Sequence, residues 1–265
     1  AGSMAITDAA QGTTLEFGAG VAGASTAAMK LGANTLNVEL QGSSTAAADV
    51  TNGLAVTGSA TVNVSSTGTG GIADNVLALT VADNQLINLT GSQNTTLTVA
   101  NAPSTTGVSI DASTFTGKAN ITATGDIDIV KGGVGDDTIN GGADTVADTL
   151  TGGAGADKFV IGSGITAATA DVVTDFVSKS DTIDFTGAVA GSSTNYSEGA
   201  AAVADFAAAL AAANTALDGT VLYSAQQVGS DVWVFADAGA TGSAVEVVKL
   251  AGVSLDGIAF GDIVA

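Results

Sequence analysis

The chain contains no cysteine, no histidine and no arginine, and only one proline in 265 residues. Those gaps remove thiol and imidazole nucleophiles, a histidine general base, the usual zinc sites, and haem or iron–sulfur ligation. Without arginine there is no guanidinium to read guanine or clamp a phosphate, and a formal charge of -20 repels phosphate backbones and anionic membranes. Nucleic acid and membrane insertion are therefore excluded as expected partners. Aromatics are scarce too, with one Trp, two Tyr and eight Phe, so a thin, sheet-coil type of core is expected. No apolar run approaches the roughly 18 residues of a membrane span, and no basic stretch precedes an apolar leader core. Ala1-Gly2-Ser3-Met4 reads as a cloning remnant ahead of a natural start or fragment boundary.

What the chain does have is acid: 22 Asp and 4 Glu against 6 Lys. Such a surplus repels itself in a compact state unless cations relieve it, and Asp oxygens suit a hard divalent ion. Calcium is the first cofactor to consider.

Residues 5–125 are rich in Thr, Ala, Ser, Asn and Gly and carry short alternating apolar runs. These are Leu36-Val38-Leu40, Val62-Val64, Leu77-Leu79-Val81, Leu86-Ile87-Leu89, Leu97-Val99, Val108-Ile110 and Ile121. Period-two segments separated by Gly, Asn, Ser or Asp predict strands of about four to six residues. Their close spacing suits a coil in which each strand stacks in parallel on the one before; an antiparallel sandwich is the rival. Residues 21–31 are read as a short helix or loose cap, and Pro103 as part of a turn.

The most specific pattern follows. Residues 132–140 read Gly-Gly-Val-Gly-Asp-Asp-Thr-Ile-Asn and residues 152–160 read Gly-Gly-Ala-Gly-Ala-Asp-Lys-Phe-Val, both fitting G-G-x-G-x-D-x-U-x with U apolar. Between them, residues 141–151 keep the glycine pair and end in Asp148-Thr149-Leu150. Gly133, Gly135, Gly142, Gly153 and Gly155 allow tight turns that expose carbonyls. Asp137, Asp148 and Asp157 supply carboxylates, and the apolar residue two places on starts an inward-facing strand. Two such units make about one turn, so Asp137 and Asp157 are expected on one edge and Asp148 on the other. Asp136 and Asp144 are either auxiliary ligands or solvent-facing turn acids.

These three units resemble the calcium-binding nonapeptide repeats of the RTX family, which Gram-negative bacteria export through type I channels. The stretch Asp171-Val172-Val173-Thr174-Asp175-Phe176, continuing to Asp181-Thr182-Ile183-Asp184-Phe185, is similar to the segment closing such parallel rolls. By that match Asp171, Asp175, Asp181 and Asp184 join the implied calcium ligands. The Thr/Ala-rich front looks like the C-terminal portion of surface-layer proteins and large exported adhesins. The H-E-x-x-H motif of the secreted proteases in that family is missing, since the chain has no histidine.

Residues 197–217 form the strongest helix candidate, with Val203, Phe206 and Leu210 at helical spacing. Three strands of a small meander are expected after it, over 220–223, 231–235 and 244–250, with Trp233 and Phe235 as core anchors. Asp231 and Asp237 either hold an end-site cation or face water. Residues 255–265 resemble an uncleaved type I export signal.

The expected fold is all-β: a parallel β-helix or β-roll solenoid with calcium-binding turns, and a C-terminal α+β cap of one helix on a small sheet. The expected organisation is a solenoid over 5–125, a calcium-binding roll over 126–186, and a capping domain with the export signal over 187–265. The resemblance implies a non-enzymatic, calcium-binding structural protein outside the cell or on its surface. It would be surface-layer-like and self-associating, with the type I export channel and a cell-surface polysaccharide as further partners. An adhesin or biofilm matrix module is the alternative; a glycoside hydrolase using only carboxylates is a third, disfavoured by the scarcity of Glu and aromatics.

Overall fold

The computed structural model describes residues 4–9, 12–18, 27–31, 35–43, 46–57, 61–69, 74–102, 106–142, 146–162 and 164–265. Residues 21–26, Pro103 and Asp144 lie outside this set. The chain divides into two compact units, Ala1–Ile139 and Asn140–Ala265.

The first unit is a parallel β-solenoid. Its strands are β1 (Met4–Ala9), β2 (Thr14–Gly18), β3 (Ala27–Leu31), β4 (Thr35–Ser43), β5 (Asp49–Thr57), β6 (Thr61–Thr69) and β7 (Asn75–Thr80). They continue with β8 (Leu86–Gly91), β9 (Thr95–Ala100), β10 (Ser109–Asp111), β11 (Ala119–Thr122), β12 (Ile129–Lys131) and β13 (Thr138–Asn140). Odd strands order β1-β3-β5-β7-β9-β11-β13 in one sheet and even strands β2-β4-β6-β8-β10-β12 in the other. Each turn of the coil thus gives one strand to each sheet, and paired residues such as Val62 and Ile87 or Ile110 and Val130 stack in register. Residues 27–31 are strand β3 rather than part of a helix; Ala28, Met29 and Lys30 pair with Ala55, Val56 and Thr57 on β5, and the ladder overrides local helix propensity.

Alternation explains the core. Leu36, Val38, Leu40, Val62, Val64, Ile87, Leu89 and Ile110 from one sheet are fully buried, as are Leu54, Val56, Leu77, Leu97 and Ile121 from the other. Each buried aliphatic contributes roughly 1.5–3 kcal/mol through burial, and all but Leu54 and Val56 fall in the runs read from the sequence, although Leu86, in the run over 86–89, is exposed. In β5 the parity slips: the register shifts between Val50 and Leu54, and Gly53 takes φ 87 to absorb the irregularity.

The second unit is itself built on parallel strand pairs, with an excursion from them. Here β14 (Thr149–Thr151) pairs in parallel with β16 (Asp171–Val173), and β15 (Lys158–Ile161) with β17 (Thr182–Phe185). The chain then builds β18 (Tyr196–Glu198), α1 (Phe206–Ala216), β19 (Tyr223–Val228) and β20 (Asp231–Ala236), and returns through β21 (Glu246–Leu250) and β22 (Ile263–Val264). β21 lies parallel to β16 and β22 parallel to β17, so these two strands add another rung to the coil. β19, β20 and β21 form an antiparallel meander, its first strand running Tyr223–Val228 rather than over 220–223.

The helix is shorter than its sequence spacing suggests. Asp205 caps it, its side chain accepting the Ala208 N–H at 2.9 Å, while Tyr196–Glu198 are strand and Val203 makes a single bridge to Val228. Ala209 and Ala213 are buried, and Phe206 and Leu210 pack with them against Trp233, Phe235 and Val247. Phe206 meets the Trp233 ring edge-on at 4.8 Å, which places this tryptophan in the core. None of the described helices is long and apolar enough to cross a membrane.

Candidate functional site

Many corners of the coil share one device. Two residues before the first inward apolar residue of a strand the chain places a polar side chain that also points inward, whereas Ala48, Val108 and Ala119 put a small or apolar residue at that place before Val50, Ile110 and Ile121. Asn75 precedes Leu77, Thr95 precedes Leu97, Asp128 precedes Val130, Asp137 precedes Ile139, Asp148 precedes Leu150, Asp157 precedes Phe159, Asp171 precedes Val173 and Asp181 precedes Ile183. All eight polar side chains are buried, and Asp171, the most exposed, reaches only 8%. A buried polar group must be hydrogen-bonded, and here several of the bonds run to backbone one coil turn earlier.

In the first unit Asp137 Oδ1 accepts the Ala119 N–H at 2.8 Å, and Oδ2 accepts the Gly133 N–H at 2.5 Å. Asp128 repeats the device: Oδ1 takes the Val108 N–H at 2.6 Å, and Oδ2 takes both the N–H and the hydroxyl of Thr124 at 2.7 and 2.8 Å. Asn75 is the neutral version. Its Oδ1 accepts from Ala48 at 2.9 Å, and its Nδ2 donates to the Ser66 hydroxyl at 2.8 Å and to the Leu40 and Thr67 carbonyls.

In the second unit the sequence-implied acids stack in two columns. The Asp148 N–H donates to Asp171 Oδ1 at 3.0 Å, and the Asp157 N–H donates to Asp181 Oδ1 at 3.1 Å, while Asp181 Oδ2 accepts from Val177 at 2.8 Å. Asp148 leads into β14 and Asp157 into β15, which lie in different sheets, so they occupy opposite edges. Asp175 spans the N–H groups of Gly152 and Gly153 at 2.9 and 2.8 Å. Asp262 closes the last corner, accepting from Ser178 Oγ, the Lys179 N–H and the Ala259 N–H. Lys179 itself turns the chain at φ 71.

Asp184 stands apart from this group. It faces outward on β17 and pairs with the Lys158 ammonium at 3.0 Å. Asp231 likewise pairs with Lys249 at 2.8 Å, and Asp237 accepts the N–H groups of Thr241 and Gly242 and the Thr241 hydroxyl.

The motif glycines provide the room. A Cβ on Gly133 would lie 2.4 Å from the Phe115 carbonyl, and one on Gly135 2.4 Å from the Gly117 carbonyl, both one turn below. A Cβ on Gly152 would lie 2.3 Å from Asp157 Oδ2, so that carboxylate rests directly against bare backbone. Gly153 and Gly155 take φ 102 and 125, Gly142 takes φ 134, and Gly155 O accepts from Ser180.

Burial acts upward on the Asp137 carboxyl and outweighs the Gly133 and Ala119 N–H groups that pull it down, with Asp136 adding to the rise and Lys118 opposing it. Its ionised form is therefore costly here and would gain from a nearby cation. Among the described residues no three acid side chains converge as a metal cluster. The donor set is nonetheless all oxygen, in the form of carboxylates and the carbonyls of glycine-bearing turns, which is the chemistry of a hard cation. An ion at these edges would take one or two carboxylates and draw the rest of its shell from carbonyls and water.

Asp128, Asn75 and Asp262 are missed by a search for the nonapeptide alone. The broader signal, a polar residue two places before an inward aliphatic, finds Asp128 and Asn75, though not Asp262, which ends the 3₁₀ turn Phe260–Asp262 directly before β22. The fold and these edges define a parallel β-solenoid with carboxylate-closed corners. No protein-family model matches the chain, and no curated protein matches its sequence.

Proposed function

We propose that the chain is a calcium-binding structural protein of the bacterial cell surface, surface-layer-like, exported by a type I channel and stabilised or assembled by calcium outside the cell. The observation that carries this reading is the series of buried carboxylates at the coil corners, those of Asp128, Asp137, Asp171 and Asp181 accepting backbone N–H groups of a neighbouring turn, in a chain of charge -20. Asp137, Asp148, Asp157, Asp171, Asp175 and Asp181 would hold the ions, with carbonyls of Gly133, Gly135, Gly142, Gly153 and Gly155 beside them. Asp184 is assigned to its ion pair with Lys158 instead. When bound, calcium supplies positive charge that offsets carboxylate repulsion and desolvation, so binding free energy becomes folding free energy. At the low free calcium inside a cell such sites stay empty, whereas extracellular-type sites with dissociation constants of about 10⁻⁴–10⁻³ M fill outside.

No catalytic role is assigned. The adhesin or matrix alternative draws on one separate feature, the outer face of the first unit described below.

The test is a calcium titration of the chain followed by far-UV circular dichroism and light scattering, with chelator reversal. Gain of β signal and growth of particle size with calcium support the reading. Unchanged spectra, unchanged thermal stability and a monomer throughout overturn it, and folding or stabilisation without growth in size removes the assembly half.

A further inference from the structure

The outer face of the even-strand sheet in the first unit is amphipathic in a way the core does not require. Leu86, Ser109 and Ile129 stack in register across β8, β10 and β12, and two residues further along the same face stand Asn88, Asp111 and Lys131. Leu86, Ile127 and Ile129 are 36%, 52% and 46% exposed and line a hollow of about 300 Å³. Beside it lies a second, polar hollow of about 420 Å³ lined by Asn63, Asn88, Thr90, Asp111, Ser113 and Thr114. An aliphatic platform therefore adjoins a row of amides, hydroxyls and a carboxylate.

The polar row has a direction. Asn88 Nδ2 donates to Asn63 Oδ1 at 2.9 Å, Asn63 Nδ2 donates to Asn37 Oδ1 at 3.0 Å, and Asn37 Nδ2 donates to the Gly12 carbonyl at 3.3 Å. Each amide donates down the ladder, so the upper end finishes on the carbonyl oxygen of Asn88. The next residue in the column is Asp111, and an ionised carboxylate has no proton to give. The Ser113 hydroxyl and then the Ser113 N–H hold Asp111 below its usual range against an upward push from burial, with the charge of Lys131 as the smallest contribution, so it stays ionised at neutral pH. Two acceptors thus stand on neighbouring rungs about 4.8 Å apart; Ser113 already donates to Asp111, so the place for an outside donor is Asn88 Oδ1 and the outward side of the carboxylate.

We propose that this groove binds a neutral saccharide. Its hydroxyls would donate to Asn88 Oδ1 and Asp111 and exchange bonds with Thr90, Ser113 and Thr114, while a C–H face rests on Leu86 and Ile129. The charge of -20 turns away acidic polymers, and two acceptors are too few for a calcium shell of six to eight oxygens. The site stands independently of the calcium reading, and takes from the cell-surface setting only where such a glycan would be met.

The experiment uses the full chain on an array of neutral and acidic glycans, followed by affinity measurement with the strongest neutral one. Asp111→Asn lets position 111 donate to Asn88 and extends the amide ladder. It is expected to weaken glycan binding at least fivefold while the melting temperature stays the same or rises. Ile129→Lys, on an exposed position, is expected to weaken binding similarly without unfolding. Retention of no glycan or of acidic glycans only, or wild-type affinity in Asp111→Asn, overturns the proposal. A failed calcium titration with glycan binding intact would overturn the proposed function alone.

Discussion

Replacing Asp137 with Asn tests the corner device at its most explicit. The two side chains have nearly the same shape, so the cavity term is negligible and the change is one of hydrogen-bond polarity. Asp137 meets two N–H donors, from Ala119 and Gly133. An Asn can accept only one of them and turns its own NH₂ toward the other. Loss of one charge-assisted bond and a buried N–H left facing a donor together cost about 2–4 kcal/mol. Relief of the buried charge, which burial disfavours at this site, returns part of that, leaving about 1–3 kcal/mol net. Asn75 shows why the residue type matters: there the amide succeeds because its Nδ2 finds the Ser66 hydroxyl and two carbonyls. Urea unfolding followed by circular dichroism in excess chelator measures the difference without any cation contribution. A loss under about 0.5 kcal/mol in chelator would refute the argument that the carboxylate closes the corner through backbone. A further loss appearing only when calcium is added would show that Asp137 is also a ligand.

Other consequences are equally direct. Glu246 is buried with Oε2 lacking a partner, and burial pushes its carboxyl from the ordinary 4.5 up to about 7. Between those values the folded chain keeps a proton that the unfolded chain has released, so stability falls as pH rises through this window, by up to about 3 kcal/mol. Glu246→Gln should flatten that slope and stabilise the chain at pH 8 relative to wild type; unchanged pH-dependent melts would contradict it. Gly135→Ala drives a Cβ to 2.4 Å from the Gly117 carbonyl, where neither backbone can yield cheaply. Its melting temperature should fall clearly, and a neutral result would show that the turns are looser than described.

Much of this was legible in the sequence because a solenoid writes its geometry locally. Runs such as Leu36-Val38-Leu40 and Leu77-Leu79 alternate strictly, and each lies in the core at the predicted parity. Where the signal was broken, reading failed for an identifiable reason. β5 carries a register shift that splits Val50 from Leu54 and Val56, and β3 is an Ala-rich segment whose strand character comes only from its neighbours. The tail at 263–264 is too short to announce itself, and becomes strand by adding to β17. At the corners the nonapeptide drew attention to Asp137, Asp148 and Asp157, but glycine-poor corners such as Asp128 hold their carboxylates in the same way. Asp184 was grouped with the others by the resemblance alone; strand alternation turns it outward, where it pairs with Lys158.

The central claim is that carboxylates at the coil corners are closed by backbone N–H groups and reinforced by a hard cation. Calorimetric calcium titration of the chain, paired with thermal melts in calcium and in chelator, tests it most directly. The account predicts a saturable isotherm at about 10⁻⁴–10⁻³ M and a stabilisation near 2.7 kcal/mol per site at a hundredfold excess over the dissociation constant. A flat isotherm with superimposable melts would contradict the cation half and leave the corners held by hydrogen bonds alone.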